Sequence, residues 1–308
     1  MSKEKEKTGS LMLEARKKMV TIPGFNIPYL PMMAPVVQAL RDTGTMGLIA
    51  VARLEWIKFK SGSLKAISDE YEKVKDERFT RLHLDHVPVI DEDNLRVDYE
   101  SVISEAIDLG YESVMVDGSR LSLDANIAHT RRAADIAHKA GIVIEAELGA
   151  VMGHEAGPLP PYDELFASGM GFTDTQEANR FIKESTADWL SVAIGNVHGA
   201  ISAAARSAKK IEARLSIPHL IELNKVLNIP LVLHGGSGIG KSYLMEAFKN
   251  GITKINIGTA IRQPYEKYMA ESVLKAQQAV YDEMLAQIQL FGFKPEIYHS
   301  INNQQSKI

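Results

Sequence analysis

Three of the nine histidines in this 308-residue chain stand at the C-terminal ends of stretches rich in β-branched residues: Thr80–His86 (TRLHLDH), Trp189–Gly199 (WLSVAIGNVHG) and Ile229–Gly238 (IPLVLHGGSG). Short apolar runs bounded by Gly and Asp read as buried strands, and a polar side chain at the exit of such a run can face a cleft without sitting in a dry core. His86, His198 and His234 together match the three protein ligands of a catalytic zinc site, which keeps a fourth position for water or substrate. Neutral imidazoles leave the ion its full divalent charge, to polarise a carbonyl or to make hydroxide from water. Read singly, each histidine is a satisfied core or cleft residue; the joint placement is what favours a metal. His83, His129, His138, His154, His219 and His299 lack it, and His129, His138 and His219 read as helix-surface or packing residues. Asp85 precedes His86, and neighbours in a regular strand face opposite ways, so both reach one cleft only if the strand ends or bulges there. Such a carboxylate either carries a proton for a bound substrate or orients a ligand imidazole, and the residues alone leave both readings open.

Bringing three strand ends to one point requires a regular scaffold. Eight strand-like runs begin near Ile22 and continue at Gly47–Arg53, Arg81–His86, Ser113–Gly118, Ile142–Gly149, Leu190–Gly199, Pro230–His234 and Lys254–Gly258, each followed by helical spacing. Asp98–Leu109 and Leu123–Ala140 stop at Gly110 and Gly141, the usual position for a helix-ending glycine. Strict alternation implies parallel pairing, and eight such units predict one α/β domain over residues 1–308, a (β/α)8 TIM barrel. An open doubly wound sheet ranks second, because Gly24-Phe25-Asn26-Ile27-Pro28 lacks the G-x-G-x-x-G turn. Residues 1–10 are expected to be flexible, Tyr265 through roughly Leu290 to be one long helical pattern, and 293–308 to be a polar tail. Barrel sites gather at C-terminal strand ends, which here carry Asn26, Arg53, Asp85, His86, Asp117, Ser119, Glu147, His198, His234 and Asn256.

Composition narrows the function further. With 39 acidic against 35 basic residues and a net charge of -4, no excess of positive charge attracts nucleic acid. The absence of cysteine excludes disulfides, thiolate nucleophiles, zinc ribbons and iron–sulfur clusters, so any metal must use His and carboxylate ligands. The charged start MSKEKEKTGS lacks an apolar signal core, and no run approaches the roughly 18 apolar residues that span a bilayer. A cytoplasmic protein without membrane contact is expected.

The segments LHLDH, VMVDGS, IEAELG, VAIGNVHG and LVLHGGSG, in this order over most of the chain, resemble the class II, metal-dependent ketose-bisphosphate aldolases. The resemblance implies a (β/α)8 barrel, zinc (Zn2+) or a similar divalent cation on His86, His198 and His234, and Asp85 as acid/base at the substrate's C4 hydroxyl. It also implies that Asp117 and Glu147 match carboxylates of an alternative or outer metal position. Glu155, in GAVMGHEAG, falls where the family carries the glutamate that exchanges a proton at C3. Asn26, Gly199, Gly235, Gly236, Ser237, Asn256 and Thr259 would bind substrate, chiefly the phosphate on the ketone side. The implied reaction is retro-aldol cleavage of a ketose phosphate into dihydroxyacetone phosphate and an aldehyde through a metal-stabilised enediolate, by a homodimer or homotetramer.

A competing motif and two departures bear on this. Gly235–Ser242, GGSGIGKS, satisfies G-x-x-x-x-G-K-S, so a P-loop nucleotide-binding protein is the rival reading, and a zinc hydrolase on the same barrel is a third. The P-loop is weakened by its late position and by its start directly after His234; Lys241 then reads as a helix-surface residue. On strand eight the family usually has Asn-hydrophobic-Asp-Thr, whereas this chain has Asn256-Ile257-Gly258-Thr259. After strand two the family has small residues, whereas this chain has Arg53 and Trp56. Arginine pairs with carboxylate or phosphate, so Arg53 is the candidate for specificity, and the expected substrate is fructose 1,6-bisphosphate or a modified or acidic ketose phosphate.

Overall fold

The computed structural model describes residues 7–149, 161–196 and 213–293. Eight parallel strands close on themselves in sequence order: β1 (Ile22–Asn26), β2 (Gly47–Ala52), β3 (Thr80–Pro88), β4 (Ser113–Asp117), β5 (Val143–Leu148), β6 (Trp189–Val192), β7 (Leu231–Leu233) and β8 (Ile252–Ile257). The helices are α1 (Thr8–Lys17), α2 (Met33–Thr43), α3 (Arg53–Lys58), α4 (Leu64–Val74), α5 (Tyr99–Asp108), α6 (Leu123–Lys139), α7 (Tyr162–Ser168), α8 (Thr175–Ser185), α9 (Ile217–Leu227), α10 (Lys241–Lys249), α11 (Thr259–Tyr268) and α12 (Val273–Phe291). The expected (β/α)8 barrel is therefore the fold.

Period-two alternation sorts each strand into an outer and an inner row. Outward residues such as Ile49, Leu84, Val114, Ile144 and Leu190 join the helices in the main core. Inward residues at the strand starts, Ile22, Leu48, Trp189 and Val232, form a separate apolar cluster with Leu11, Met12 and Ala15 of α1. Helix α1 thus closes the floor of the barrel. It begins at Thr8, inside the stretch 1–10 for which flexibility was expected, because burying one apolar face against the floor offsets the entropy of ordering it.

The helix ends follow the turn chemistry. Asp98 and Ser122 accept from Ser101 N and Ala125 N at the starts of α5 and α6, and Gly110 and Gly141 follow their ends with φ of 86° and 72°. The long helix expected from Tyr265 to about Leu290 is instead two. The chain breaks between Tyr268 and Val273, where Ser272 caps α12 by accepting from Lys275 N. The polar tail expected after Phe293 lies outside the described residues. Among the described residues no helix is long and apolar enough to cross a membrane.

Candidate metal and proton-transfer site

Strand β3 carries the irregularity needed for two consecutive residues to face one cleft. Its register with β4 shifts between Leu84 and Val87, and His86 within the shift has φ of 29°, a strained left-handed conformation for a side chain with Cβ. Asp85 and His86 consequently both turn to the barrel mouth. Asn26 Nδ2 donates to Asp85 Oδ2 at 2.9 Å, and Asn256 Nδ2 lies 3.0 Å from both carboxylate oxygens. Asp85 is 1% exposed. Burial opposes its ionisation, but the neighbouring His86, with the Lys254 charge behind it, holds it well below the usual carboxylate range.

His234 follows the end of β7. Its Nε2 lies 2.9 Å from Glu145 Oε1. Burial of Glu145 is outweighed by the Lys254 charge and the His234 hydrogen bond, which bring the glutamate down to about 2. An ionised carboxylate can only accept, so Nε2 carries the hydrogen and the Nδ1 lone pair is left for another partner. That Nδ1 stands 2.6 Å from His86 Nε2 and 3.4 Å from Glu147 Oε2. The other nitrogen of His86, Nδ1, lies 3.4 Å from Asp117 Oδ2. Asp117 in turn accepts from Ser119 N and Oγ at 2.9 and 2.6 Å, and Ser191 Oγ donates to Glu147 at 3.1 Å.

This donor set fits a divalent cation. Two imidazole nitrogens facing each other at 2.6 Å share room for one proton or one electrophile, and each ring is oriented by a carboxylate at its other nitrogen. Ligand atoms of Asp85, His86 and His234, and of His86, Asp117 and Glu147, converge within 4.8 Å in each group. All are nitrogen or oxygen donors, which suits zinc and its neighbours.

The remaining expected residues fall as follows. His198, Gly199 and Glu155 lie outside the described residues, as does the side chain of Ser237. Gly235 (φ 77°) enters a 3-10 turn over Gly236–Gly238, and Thr259 opens α11, so both segments border the ends of β7 and β8. Asn256 has its amide hydrogens on Asp85, and its buried Oδ1 has no hydrogen-bond partner among the described residues. A Cβ on Gly258 would stand 3.3 Å from Asn26 Cβ, so the carboxylate usual there would press on a partner of Asp85. Arg53 reaches Asp91 at 3.5 Å and is 22% exposed. Trp56 packs, part-buried, against the main core. Lys241 is an exposed first residue of α10.

Four interior residues escaped sequence reasoning. His83, Glu145 and Lys254 are fully buried one alternation below Asp85, Glu147 and Asn256. Counting back by two from the strand-end residues finds them. The fourth is Glu55 on α3, whose Oε2 accepts from Ala52 N at 2.7 Å. A glutamate three residues past a strand end, placed to cap the following helix, is its sequence signal. Burial, with the Asp85 charge adding to it against the Ala52 hydrogen bond, pushes Glu55 up to about 8.

A closed parallel barrel with imidazoles and carboxylates converging at its strand ends is the arrangement of a metal-assisted enzyme. The family described as fructose-bisphosphate aldolase class-II matches residues 6–299, and the chain belongs to it. Members are metal-dependent aldehyde-lyases acting on phosphorylated ketoses. The chain is 33% identical to the 6-phospho-5-dehydro-2-deoxy-D-gluconate aldolase of Bacillus velezensis over 252 residues, covering 81% of this chain and 78% of that one. It is 27% identical to a fructose-bisphosphate aldolase of Staphylococcus aureus over 275 residues, 88% and 87% of the two chains. Among solved structures it is similar to the YdjI aldolase of Escherichia coli K12, with a TM-score of 0.73, 25% identity, and 94% and 98% of the chains covered. Family membership leaves the nucleotide-binding reading of Gly235–Ser242 without support.

Proposed function

We propose that this chain is a zinc-dependent class II aldolase that cleaves a ketose 1-phosphate between C3 and C4, giving dihydroxyacetone phosphate and an aldehyde whose far end carries a carboxylate. The observation that carries the chemistry is a buried Asp85, its carboxyl held well below the usual range, beside the facing His86 and His234 nitrogens. His86 through Nε2 and His234 through Nδ1 would hold the ion, with His198 as the third ligand by resemblance. Zinc bound there supplies a Lewis acid for the oxygens of the substrate's ketone end. Asp85, fixed by Asn26 and Asn256, takes the proton of the C4 hydroxyl as the C3–C4 bond breaks and its electron pair moves toward the C2 carbonyl. Glu155 then returns a proton to C3. The backbone amides of the Gly235–Gly238 turn and the N-terminus of α11 favour the ketone-side phosphate.

Two observations support an acidic substrate. The gluconate in the name of the Bacillus velezensis relative is a carboxylate, and Arg53 stands at the rim after β2, held only at 3.5 Å by Asp91. The rates of cleavage of fructose 1,6-bisphosphate, tagatose 1,6-bisphosphate and a ketose phosphate with a terminal carboxylate test the assignment. The acid is expected to turn over fastest, and Arg53→Ala is expected to lower its kcat/KM by roughly 10-fold or more, as a charge-assisted pair of about 1.5–3 kcal/mol requires. Fast turnover of fructose 1,6-bisphosphate, indifferent to Arg53→Ala, rejects the acidic substrate and leaves the aldolase.

A further inference from the structure

Below the site lies a polar layer that the reaction above does not use. Lys254 is 0% exposed on β8. Its Nζ donates to Glu145 Oε2 at 2.7 Å and stands 3.2 Å from His83 Nε2 and 3.9 Å from Asp85 Oδ1. An ammonium offers only hydrogens, so His83 Nε2 must accept, which places the ring hydrogen on Nδ1, toward Ser113 Oγ at 2.9 Å. Room for the chain comes from Gly24, where a Cβ would stand 3.4 Å from Lys254 Cε and 3.1 Å from Asn256 Oδ1.

Taken without the lysine, His83, Asp85 and Glu145 form a buried set whose donor atoms lie within 4.8 Å of one another and could hold a cation. The lysine ammonium stands among them. Glu145 is shared between two layers: one oxygen takes the Lys254 hydrogen and the other takes His234 Nε2–H. With the ammonium removed, the carboxylate would be free to turn, and His234 would lose the acceptor that points Nδ1 at His86.

We propose that Lys254 is a positioning residue, a tethered cation that stands where a second metal ion could bind and, through Glu145 and Asp85, fixes the ligand and the proton carrier of the site above it. This rests on the metal site proposed above, and the test reads the two separately. Cobalt(II) is titrated into metal-stripped protein against a chelator, and its visible absorption bands report both affinity and ligand geometry. Lys254→Met, with folding checked by circular dichroism, is expected to bind cobalt 10- to 100-fold more weakly, the range for loss of an outer partner of a ligand histidine. Lys254→Ala is expected to lose as much and to recover most of it with methylammonium or ethylammonium, but not with tetramethylammonium at equal ionic strength. Affinity of Lys254→Met within about two-fold of wild type, or a folded Lys254→Ala that ignores small ammonium ions, overturns the proposal. If Lys254→Ala does not fold, Glu145→Gln takes its place, with the same loss expected and unchanged affinity overturning. Wild-type protein without cobalt bands would overturn the metal reading itself.

Discussion

On the floor of the barrel, Ile22, Leu48, Trp189 and Val232 pack against Leu11, Met12 and Ala15 of α1. Further along the same strands the inward residues are Asn26, Ala52 and Ser191, with His234 just past the end of β7, and Asn26, Ser191 and His234 meet the carboxylates of Asp85, Glu147 and Glu145. The two ends share one backbone scaffold and differ in what holds their side chains. Floor residues gain from leaving water, roughly in proportion to the apolar area they hide, whatever their exact partners. Mouth residues lose solvation and must recover it from particular atoms, so each depends on its neighbour: Asn256 on Asp85, Lys254 on Glu145, Glu145 on His234. The left-handed turn at His86 adds strain at the same end. The floor therefore offsets a mouth that is arranged for chemistry at a cost in stability.

The sharpest way to break this contrast is at Asp85. Asp85→Asn keeps the shape of the side chain and removes its basicity. Steady-state kinetics on the best ketose phosphate should show kcat reduced by roughly 10²–10⁴ in protein that is still folded. A large loss of stability with retained turnover would mean that the mouth is structural. The reverse experiment is Leu48→Ala on the floor, where Leu48 is 0% exposed. Denaturant unfolding should give a loss of about 2–5 kcal/mol, with metal affinity and kcat unchanged under conditions where the protein is folded. Glu145→Gln lies between the two: it should weaken metal binding by roughly 10–100-fold, measured by chelator competition, because the amide can offer either an acceptor or a donor to His234 and no longer compels one tautomer.

The contrast also explains how much of the molecule was legible from its residues. Floor and outer rows are apolar runs of β-branched residues, and their period located all eight strands, seven of them to within a few positions; the sixth run, Leu190–Gly199, holds a strand that ends at Val192. The polar residues that close a run, Asp85 with His86, Asp117, Glu147 and His234, were visible because each ends an apolar stretch. His83, Glu145 and Lys254 were not, since each interrupts a run from within and one sequence does not tell which face of a strand meets a partner 60 or more residues away. The bulge that turns both Asp85 and His86 into the mouth depends on the register with β4 and has no local signal. The break before α12 was hidden for the opposite reason: the apolar spacing continues across it, and the Ser272 cap decides the matter locally.

Glu55 is the residue on which the two environments meet. It belongs to the mouth by position, yet burial and the Asp85 charge push it up to about 8, so near neutral pH it is protonated like a floor residue, against about 4.3 in an unfolded chain. Between those values the folded state holds a proton that the unfolded state does not. The stability this contributes is complete below the unfolded pKa and is lost as pH rises through about 8. Glu55→Gln cannot ionise and keeps an oxygen for the Ala52 amide, so it should escape that decline. Thermal unfolding of metal-free wild type and variant should therefore diverge in favour of the variant between pH 5 and pH 8.5. At ~1 kcal/mol or more, the gain is ~2–4 °C in melting temperature. Metal-free protein is needed because proton release on metal binding has its own pH dependence. Parallel curves across that range would mean that Glu55 ionises as easily as a surface carboxylate, and that the low-polarity environment of the floor does not reach the ring of residues around Asp85.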